Sequence, residues 1–353
     1  MTMSAYAITI LVLAVAYTFY MGYSDGSNAV ATCVASHSLK PYAAIVVSAI
    51  CKFVTPLLLC YLIDSYGVAV TVASLIDQSA LTSGITPLAG FIFLLSTMIS
   101  ALLWSVVSAV FNVPNSTSHT LLGGLVGAGM VTFGSAAIDW NAVGIKVILM
   151  VFLAPAICST LGFLLEKAVY YLSGRFTRKV EKVLKGAQVF NMTVLSGAIS
   201  LNNTQKGLGV YLLAAVLCGG GFSDTQQAAD GLQLWVVILF CSAIALGLLL
   251  GGFRLIYAIG KKLFALNLMQ SYVAQTSSMA VSVISTACGI PISTGQVMTS
   301  SIIGVGMAHR VRGVRWQRVL KIAAGWIITF PVAMGVGAAI CAALNAIIPG
   351  GSL

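Results

Sequence analysis

Long runs of apolar residues dominate the chain, and short polar stretches separate them. A helix needs about 20 apolar residues to cross the hydrocarbon core of a bilayer, where its backbone must satisfy its own hydrogen bonds. By this measure the pattern predicts ten helical crossings, and polar residues interrupt two of them, near 22–28 and near 200–206. The predicted crossings are 5–38, 41–63, 88–112, 114–134, 142–172, 187–221, 233–253, 265–289, 291–308 and 322–346.

The composition agrees with a chain that lies largely in lipid. Hydrophobic residues make up 59% of the sequence and charged residues 7%, with a mean hydropathy of +1.01, and these values exclude a soluble globular protein. The eight cysteines form no C-x-x-C pair, so neither a zinc site nor a disulfide framework is indicated. The sequence predicts no cofactor and no enzymatic activity.

The net charge of +10 comes mainly from three short basic stretches. A basic protein can bind nucleic acid, but bases confined between apolar runs are typical of cytoplasmic loops, so no nucleic-acid partner is predicted. Placing these stretches inside predicts a multi-pass protein of the cell membrane with both termini external. The stretches contain Arg175, Arg178, Lys179, Lys182 and Lys185; Arg254, Lys261 and Lys262; and Arg310, Arg312, Arg315, Arg318 and Lys321.

The sequence also contains an internal repeat with a period near 177 residues. The segment P-N-S-T at 114–117 is followed, thirteen residues after its proline, by Gly127. The segment P-I-S-T at 291–294 is followed at the same distance by Gly304. Chance could supply the P-x-S-T pattern twice, but the shared position of the later glycine indicates a duplication.

A second pair of polar segments lies at nearly the same offset and aligns Asp25 with Asn203. The loops of the two halves differ in charge: apart from histidine, the first half has only acids at 64–87 and 135–141. The second half has only bases at 254–264 and 309–321. By the positive-inside rule, the two halves are therefore predicted to have opposite orientations in the membrane.

These patterns predict an all-α polytopic membrane protein built from two inverted-topology repeats of about five crossings each. The repeats are 1–172 and 187–353, and a basic cytoplasmic linker, 173–186, joins them. Broken helices and half-helices are predicted to meet near the midplane. This is the architecture of secondary transporters, which bind substrate at the interface between the repeats.

Asp25 is the acid that the pattern places deep in the membrane, and no second deep acid is predicted. An ionisable group there costs at least ~2.5–3.5 kcal/mol, so it needs a partner. The oxygen atoms and broken backbone around Asp25 suit a small hard cation, although a helix-breaking turn with a solvated carboxylate is the alternative. Asp25 is therefore the predicted metal ligand for a coupling Na⁺, or the H⁺ acceptor. The further predicted cation ligands are Ser24, Asn202 and Asn203.

Proline followed by hydroxyl side chains marks two predicted helix starts, at Pro114 and Pro291. Free N–H groups and hydroxyls at a helix N-terminus bind an oxyanion without a full positive charge. Two such half-helices entering from opposite faces would point at one central site, whereas either copy alone is explained by capping. The predicted substrate ligands are Ser116, Thr117, Ser118, His119, Ser293, Thr294, Gln296, Asn28 and Lys206.

Three of the polar residues have more than one interpretation. Lys206 either neutralises a bound anion or extends to the membrane surface. His119 either contacts substrate or carries a proton, or it is a structural donor beside a helix cap. Lys52 is either an internal counter-ion of Asp25 or a lysine that faces water, and the sequence does not decide between them.

The polar segments resemble the duplicated signature of the inorganic phosphate transporter family of cation–phosphate symporters. The family pattern is G-A-N-D-x-x-N in the first half and G-A-N-D-A-Q-K in the second, each followed later by P-V-S-T-[ST]-H. The resemblance extends over nearly the whole chain and implies inverted repeats, a homodimer, external termini, and symport of phosphate with sodium or, in some members, protons. The matching segments are G-Y-S-D-G-S-N at 22–28, P-N-S-T-S-H at 114–119, S-L-N-N-T-Q-K at 200–206 and P-I-S-T-G-Q at 291–296.

The sequence departs from this pattern at positions that bear on coupling. Asn203 replaces the aspartate of the second signature, and Ser24 replaces the asparagine of the first. Acids that the family resemblance implies near Lys52 and Gln275 are also replaced. Because fewer embedded carboxylates hold fewer cations, the coupling ion and its ratio stay open, and so does the choice between phosphate and another tetrahedral oxyanion such as sulfate. Phosphate is the first choice.

Two other classes of protein compete with a transporter. An intramembrane aspartyl protease needs two carboxylates that share a proton, and the pattern offers Asp25 alone. An anion channel needs hydroxyls and helix dipoles along its path, but it needs neither Asp25 nor a pair of related half-sites.

Overall fold

The computed structural model describes residues 4–63, 65–82, 85–111, 113–173, 178–219, 222, 224–259 and 266–348, and helices account for most of them. A π-helical segment covers Val143–Ile148. The helices are α1 Ala5–Asp25, α2 Asn28–Ala35, α3 Pro41–Leu62, α4 Gly67–Ala73, α5 Gln78–Thr82, α6 Pro87–Val110, α7 Thr117–Phe133, α8 Trp140–Ala142, α9 Leu149–Ser173, α10 Arg178–Leu217, α11 Thr225–Asp230, α12 Leu234–Ile259, α13 Leu268–Ala287, α14 Thr294–His309 and α15 Trp316–Ile347.

A helix lies at each of the ten predicted crossings, which confirms an all-α polytopic membrane protein. In the described part of the chain, six helical segments are long and apolar enough to cross a membrane. Helices α7 and α14 have 17 and 16 residues, fewer than the roughly 20 that a full crossing needs. The six segments are Ala5–Ala35, Pro41–Leu62, Pro87–Val110, Trp140–Tyr171, Leu234–Gly252 and Trp316–Ile347.

The interruption predicted near 22–28 is confirmed as a two-residue break between α1 and α2. Helix α1 ends at Asp25 and α2 begins at Asn28, so that Gly26 and Ser27 form a turn. Glycine is a poor helix former because it loses the most backbone entropy on folding, and Gly22 and Gly26 weaken the helix at this point. The break lies directly beside Asp25.

The interruption predicted near 200–206 is wrong, because α10 runs unbroken from Arg178 to Leu217. Ser200 and Thr204 stand where the first repeat has Gly22 and Gly26, so this segment lacks the glycines that weaken α1. Its polar side chains bond to other elements and leave the backbone of α10 intact. The helix also begins within 173–186, so part of the predicted linker is helical.

The predicted loop 64–87 contains a buried short helix, α4. Its Val68 N–H donates to Gln205 Oε1 at 2.7 Å, and Gln205 Nε2 donates to the carbonyl oxygen of Ser65 at 2.6 Å. Both bonds tie this segment to the middle of α10. The prediction treated 64–87 as a simple loop because it considered only the charged residues and not the apolar residues of α4.

The sequence repeat corresponds to matched packing between the two halves. Helix α7 packs along α15, and α14 packs along α9, so each half-helix lies against the last long helix of the other half. A side chain at Gly127 would overlap the carbonyl oxygen of Met334, and one at Gly304 would overlap that of Ser159. Glycine at these two positions therefore permits the same close backbone approach twice.

The two tryptophans that follow the repeated segments also make matching contacts. Trp140 Nε1 donates to the carbonyl oxygen of Ser135 at 2.9 Å, and Trp316 Nε1 donates to that of Val311 at 3.0 Å. Each bond closes a 3₁₀ turn before a long helix. The relative orientation of the two halves in a membrane stays a prediction.

Several predictions fall outside the described residues. They concern Asp64, Arg175, Lys261 and Lys262, and the ends of the chain at 1–3 and 349–353. The side chains of Arg178, Lys179 and Arg254 are likewise outside the description.

Candidate functional site

The start of α7 lies against the break between α1 and α2. Ser116 caps α7, since its Oγ accepts from the backbone N–H of His119 at 3.4 Å. The next hydroxyl, Thr117 Oγ1, donates to the Asp25 carboxylate at 2.6 Å. The end of the broken helix and the start of the half-helix are thereby joined by a bond to a charged acceptor.

The start of α14 lies against the start of α2. The amide nitrogen of Asn28 lies 3.7 Å from the position that a Cβ at Gly295 would take. Thr294 and Gln296, on either side of this glycine, are both 1% exposed. The structure therefore brings together Asn28 and the second hydroxyl segment, as the two half-sites predicted from the sequence require.

Lys206 is the centre of a hydrogen-bonded group between α10, α7 and the segment before α14. Its Nζ donates to Ser118 Oγ at 2.6 Å, to Asn203 Oδ1 at 2.9 Å and to the carbonyl oxygen of Ile292 at 2.7 Å. Ser118 Oγ also donates to the same Ile292 oxygen, at 2.9 Å. All three donors of this ammonium are used, so Lys206 does not extend to the membrane surface.

The Asn202 side chain fixes the segment that leads into α14. Its Nδ2 donates to Thr286 Oγ1 at 3.1 Å and to the carbonyl oxygen of Ile290 at 3.0 Å. Its Oδ1 accepts from the backbone N–H of Ile292 at 3.3 Å. These bonds give Asn202 a structural role, and its predicted role as a cation ligand stays a prediction.

Asp25 interacts electrostatically with two buried lysines, Lys206 and Lys52. Neither lysine forms a close ion pair with it, because the described residues place no lysine, arginine or histidine nitrogen within 4.0 Å of its carboxylate. Lys52 is 0% exposed, which excludes the interpretation that it faces water.

Many buried polar atoms near this region have no hydrogen-bond partner among the described residues, although such atoms are usually paired in folded proteins. One of these atoms is Nδ1 of His119, a residue that is 2% exposed. Ligand contacts would satisfy such atoms. Those on the elements around the break are Ser24 Oγ, Ser27 Oγ, Thr32 Oγ1, Lys52 Nζ, Asn115 Nδ2, His119 Nδ1, Thr204 Oγ1, Gln275 Oε1, Thr294 Oγ1 and Gln296 Nε2.

Two further residues of this region were not among the predicted ligands. The Tyr17 hydroxyl donates to the carbonyl oxygen of Thr117 at 2.7 Å and so holds the start of α7 against α1. Gln275 Nε2 donates to the carbonyl oxygen of Ala29 at 2.8 Å and holds α2 against α13. Both bonds use backbone oxygens distant in sequence, and no local pattern indicates them.

The structure adds a second buried acid that the sequence pattern did not place deep in the membrane. Glu166 in α9 is 3% exposed, and its Oε1 lies 3.1 Å from His309 Nε2 at the end of α14. It is absent from the groups that interact with Asp25. The described residues contain no group of three or more His, Cys, Asp or Glu side chains suited to a metal ion.

Residues 21–337 match the family model described as "Phosphate transporter family". The match covers most of the chain, in agreement with the resemblance carried by the four polar segments. The chain belongs to the phosphate transporter family. Membership makes it a multi-pass membrane protein of a family of transporters.

Named relatives of the family are similar to this chain over almost its whole length. A protein of Rhizobium meliloti (strain 1021), named "Probable low-affinity inorganic phosphate transporter", is 32% identical over 328 residues, which cover 92% of each chain. A protein of the same name from Bacillus subtilis (strain 168) is 29% identical over 342 residues, which cover 96% of this chain and 97% of that protein.

A solved structure described as "The sodium-dependent phosphate transporter" has a similar fold, with a TM-score of 0.81. The similarity covers 98% of this chain and 100% of that one, at 18% sequence identity. At this identity the likeness concerns the fold alone.

Proposed function

We propose that the chain is a secondary active transporter that moves inorganic phosphate across the cell membrane in symport with a cation, either Na⁺ or H⁺. The observation that carries this proposal is the 2.6 Å hydrogen bond between Thr117 Oγ1 and the Asp25 carboxylate. It places a deep carboxylate, which suits a cation, directly at a helix start, which suits an oxyanion. Opposite charges bound side by side favour each other, and such mutual stabilisation is the basis of coupling.

In this proposal the oxyanion lies between the starts of α7 and α14. The unpartnered hydroxyl of Thr294 and amide of Gln296 are candidate donors to its oxygens, and both are buried. Asp25 holds the coupling ion with oxygen ligands from Ser24 and the broken backbone. This assignment is supported by the buried, unpartnered Oγ of Ser24 and by the position of the break.

The arrangement in the membrane is part of the same proposal. The two halves are inverted-topology repeats, both termini are external, and the basic stretches are cytoplasmic. The chain forms a homodimer, as the family resemblance implies. The matched packing at Gly127 and Gly304 supports the repeat, and the positive-inside rule supports its inversion.

Uptake into proteoliposomes tests the proposal. Labelled phosphate and labelled sulfate are offered in separate experiments, with a sodium gradient or a proton gradient imposed alone. We expect accumulation of phosphate above its external concentration with one of the two gradients, and none in protein-free liposomes.

Each other result identifies a different function. Accumulation of sulfate in place of phosphate would assign another tetrahedral oxyanion to the same site. Equilibration without accumulation under either gradient would contradict symport. Currents far above the turnover of a carrier would indicate an anion channel.

A further inference from the structure

We propose that Lys52, and not Lys206, is the lysine whose ammonium contacts the transported oxyanion. The inference rests on the function proposed above and gives Lys52 a role beyond the two interpretations that the sequence offered. It comes from the different surroundings of the two buried lysines.

The side chain of Lys206 is committed to the protein. Its ammonium donates to Ser118, Asn203 and the carbonyl oxygen of Ile292 at 2.6–2.9 Å. An ammonium has three donors, so none is left for a ligand unless one of these bonds breaks. Lys206 therefore joins α10 to the segment before α14.

The side chain of Lys52 has the opposite surroundings. It is 0% exposed, and among the described residues its Nζ has no hydrogen-bond partner. The backbone at this position is well held, since Ser200 Oγ donates to the carbonyl oxygen of Lys52 at 2.5 Å. Lys52 interacts electrostatically with Asp25 but makes no hydrogen bond to it, so the three donors of its ammonium are unused. Lysines and arginines buried in membrane proteins typically lie on a substrate or ion path.

The helices that pack around α2, one of which is α3, carry further unpartnered polar atoms. Helix α2 packs against α3, which carries Lys52, and against α13 and α14. Thr294 Oγ1 and Gln296 Nε2 on α14 have no partner in the described structure, and neither does Ser27 Oγ beside α2. Hydroxyls, an amide N–H and an ammonium are donors that together suit the oxygens of a tetrahedral oxyanion. In the Lys206 group, by contrast, Ser118 and Asn203 are bonded to the ammonium itself.

Thermal unfolding of the purified full-length protein, with and without inorganic phosphate, separates the two lysines. The variants are Lys52→Met and Lys206→Met, which replace each ammonium by an apolar chain of similar length. Without phosphate, we expect Lys52→Met to lose less stability than Lys206→Met, because Lys52 gives up no hydrogen bond and only an electrostatic attraction to Asp25. We expect Lys206→Met to unfold at a lower temperature, because Asn203, Ser118 and Ile292 lose their donor.

With phosphate, the wild-type unfolding temperature rises because the ligand binds the folded state. We expect Lys52→Met to need at least tenfold more phosphate than the wild type for the same rise in unfolding temperature. Lys52→Gln also lacks the charge, so we expect the same shift for this variant. A wild-type phosphate response in these variants would overturn the inference. The inference would also be overturned if Lys52→Met lost as much stability without phosphate as Lys206→Met, or failed to fold.

The same data distinguish this inference from the proposed function. A wild-type protein that neither responds to phosphate nor takes it up contradicts phosphate transport itself. A wild-type protein that does both, with Lys52→Met unchanged, contradicts only the assignment of Lys52.

Discussion

The hydrogen bond from Thr117 to Asp25 brings a hydroxyl group and a carboxylate into direct contact. The role of this carboxylate can be tested by substitution. Asp25→Asn keeps the size and an acceptor oxygen for Thr117 but removes the charge that would offset Na⁺ or accept H⁺. We expect normal folding, loss of uptake against a gradient, and residual exchange of phosphate down its own gradient. The measurements are gradient-driven uptake and counterflow in proteoliposomes.

The second repeat offers an internal comparison for this variant. Asn203 stands at the aligned position, where its amide oxygen accepts from Lys206 at 2.9 Å, so an amide is compatible with the related place in the fold. If Asp25→Asn still accumulates phosphate under the wild-type driving gradient, Asp25 is not the coupling site.

The two aligned threonines at the half-helix starts are expected to respond differently to the same substitution. Thr117 donates to a carboxylate, whereas the Thr294 hydroxyl has no partner among the described residues. Thr117→Val should lower the free energy of unfolding by about 1.5–3 kcal/mol, the range for a bond to a charged group. Thr294→Val should leave stability nearly unchanged and weaken phosphate binding.

Unfolding and phosphate titrations of the two valine variants provide the measurements. Equal effects of both substitutions on stability would show that the threonines are simple caps. An unchanged phosphate affinity of Thr294→Val would remove this hydroxyl from the predicted ligands.

The sequence predicted which residues are polar in the membrane but not which of them are bonded to each other. Asp25, Thr117 and Lys206 were each identified as candidates, and all three are in one region. The Ile292 oxygen that accepts from Lys206 belongs to a backbone 86 residues away, and side-chain patterns carry no information about such carbonyl groups. For this reason the alternatives for Lys206 and Lys52 could be separated only by tertiary structure.

At the scale of helices, the two related polar segments behave differently despite their alignment. The first breaks between α1 and α2, whereas the second continues through α10. Local propensity explains part of the difference, since Gly22 and Gly26 correspond to Ser200 and Thr204. The tertiary bonds of Asn202 and Lys206 explain the rest, and the sequence prediction was wrong because it took polar character alone as a sign of a break.

The matched glycines of α7 and α14 lead to a prediction about helix packing. A Cβ at Gly127 or Gly304 would overlap a backbone carbonyl oxygen of the facing helix, and backbone cannot rotate away as a side chain can. Gly127→Ala and Gly304→Ala should each destabilise the protein by about 1–3 kcal/mol, the usual range for overpacking. Thermal unfolding in detergent measures the effect.

Gly335 in α15 is the control for these substitutions. A Cβ there would meet nothing within 4 Å, so Gly335→Ala should be neutral or slightly stabilising through its higher helix propensity. A destabilisation of all three variants by the same amount would show that the close approach of α7 and α14 to their partner helices is not the cause.

At the scale of the whole molecule, the half-helix of each repeat packs on the last helix of the other, so each half depends on the other for part of its packing. This exchange is seen in the contacts of α7 with α15 and of α14 with α9. The sequence predicted the duplication from spacing alone, because the glycines that permit these contacts are part of the repeated pattern. It could not predict the exchange, since period and spacing do not say which helices face each other.

The orientation of this assembly in the membrane is the last prediction, and it follows from the charges of the loops. Lys182 lies in the basic stretch at the start of α10, and Asp230 ends α11, the short helix between α10 and α12. Both are exposed. The positive-inside rule places Lys182 in the cytoplasm, and one crossing separates it from Asp230, which must then be external.

Single cysteines at these two positions provide the measurement. Of the eight native cysteines, Cys288 is exposed, so Lys182→Cys and Asp230→Cys are each made in a Cys288→Ser background. A membrane-impermeant maleimide added to intact cells should label Asp230→Cys, and it should label Lys182→Cys only after the cells are opened. Labelling of Lys182→Cys in intact cells would reverse the proposed topology. Labelling of both positions from the same side would show that α10 does not cross the membrane, and it would contradict the inversion of the two repeats.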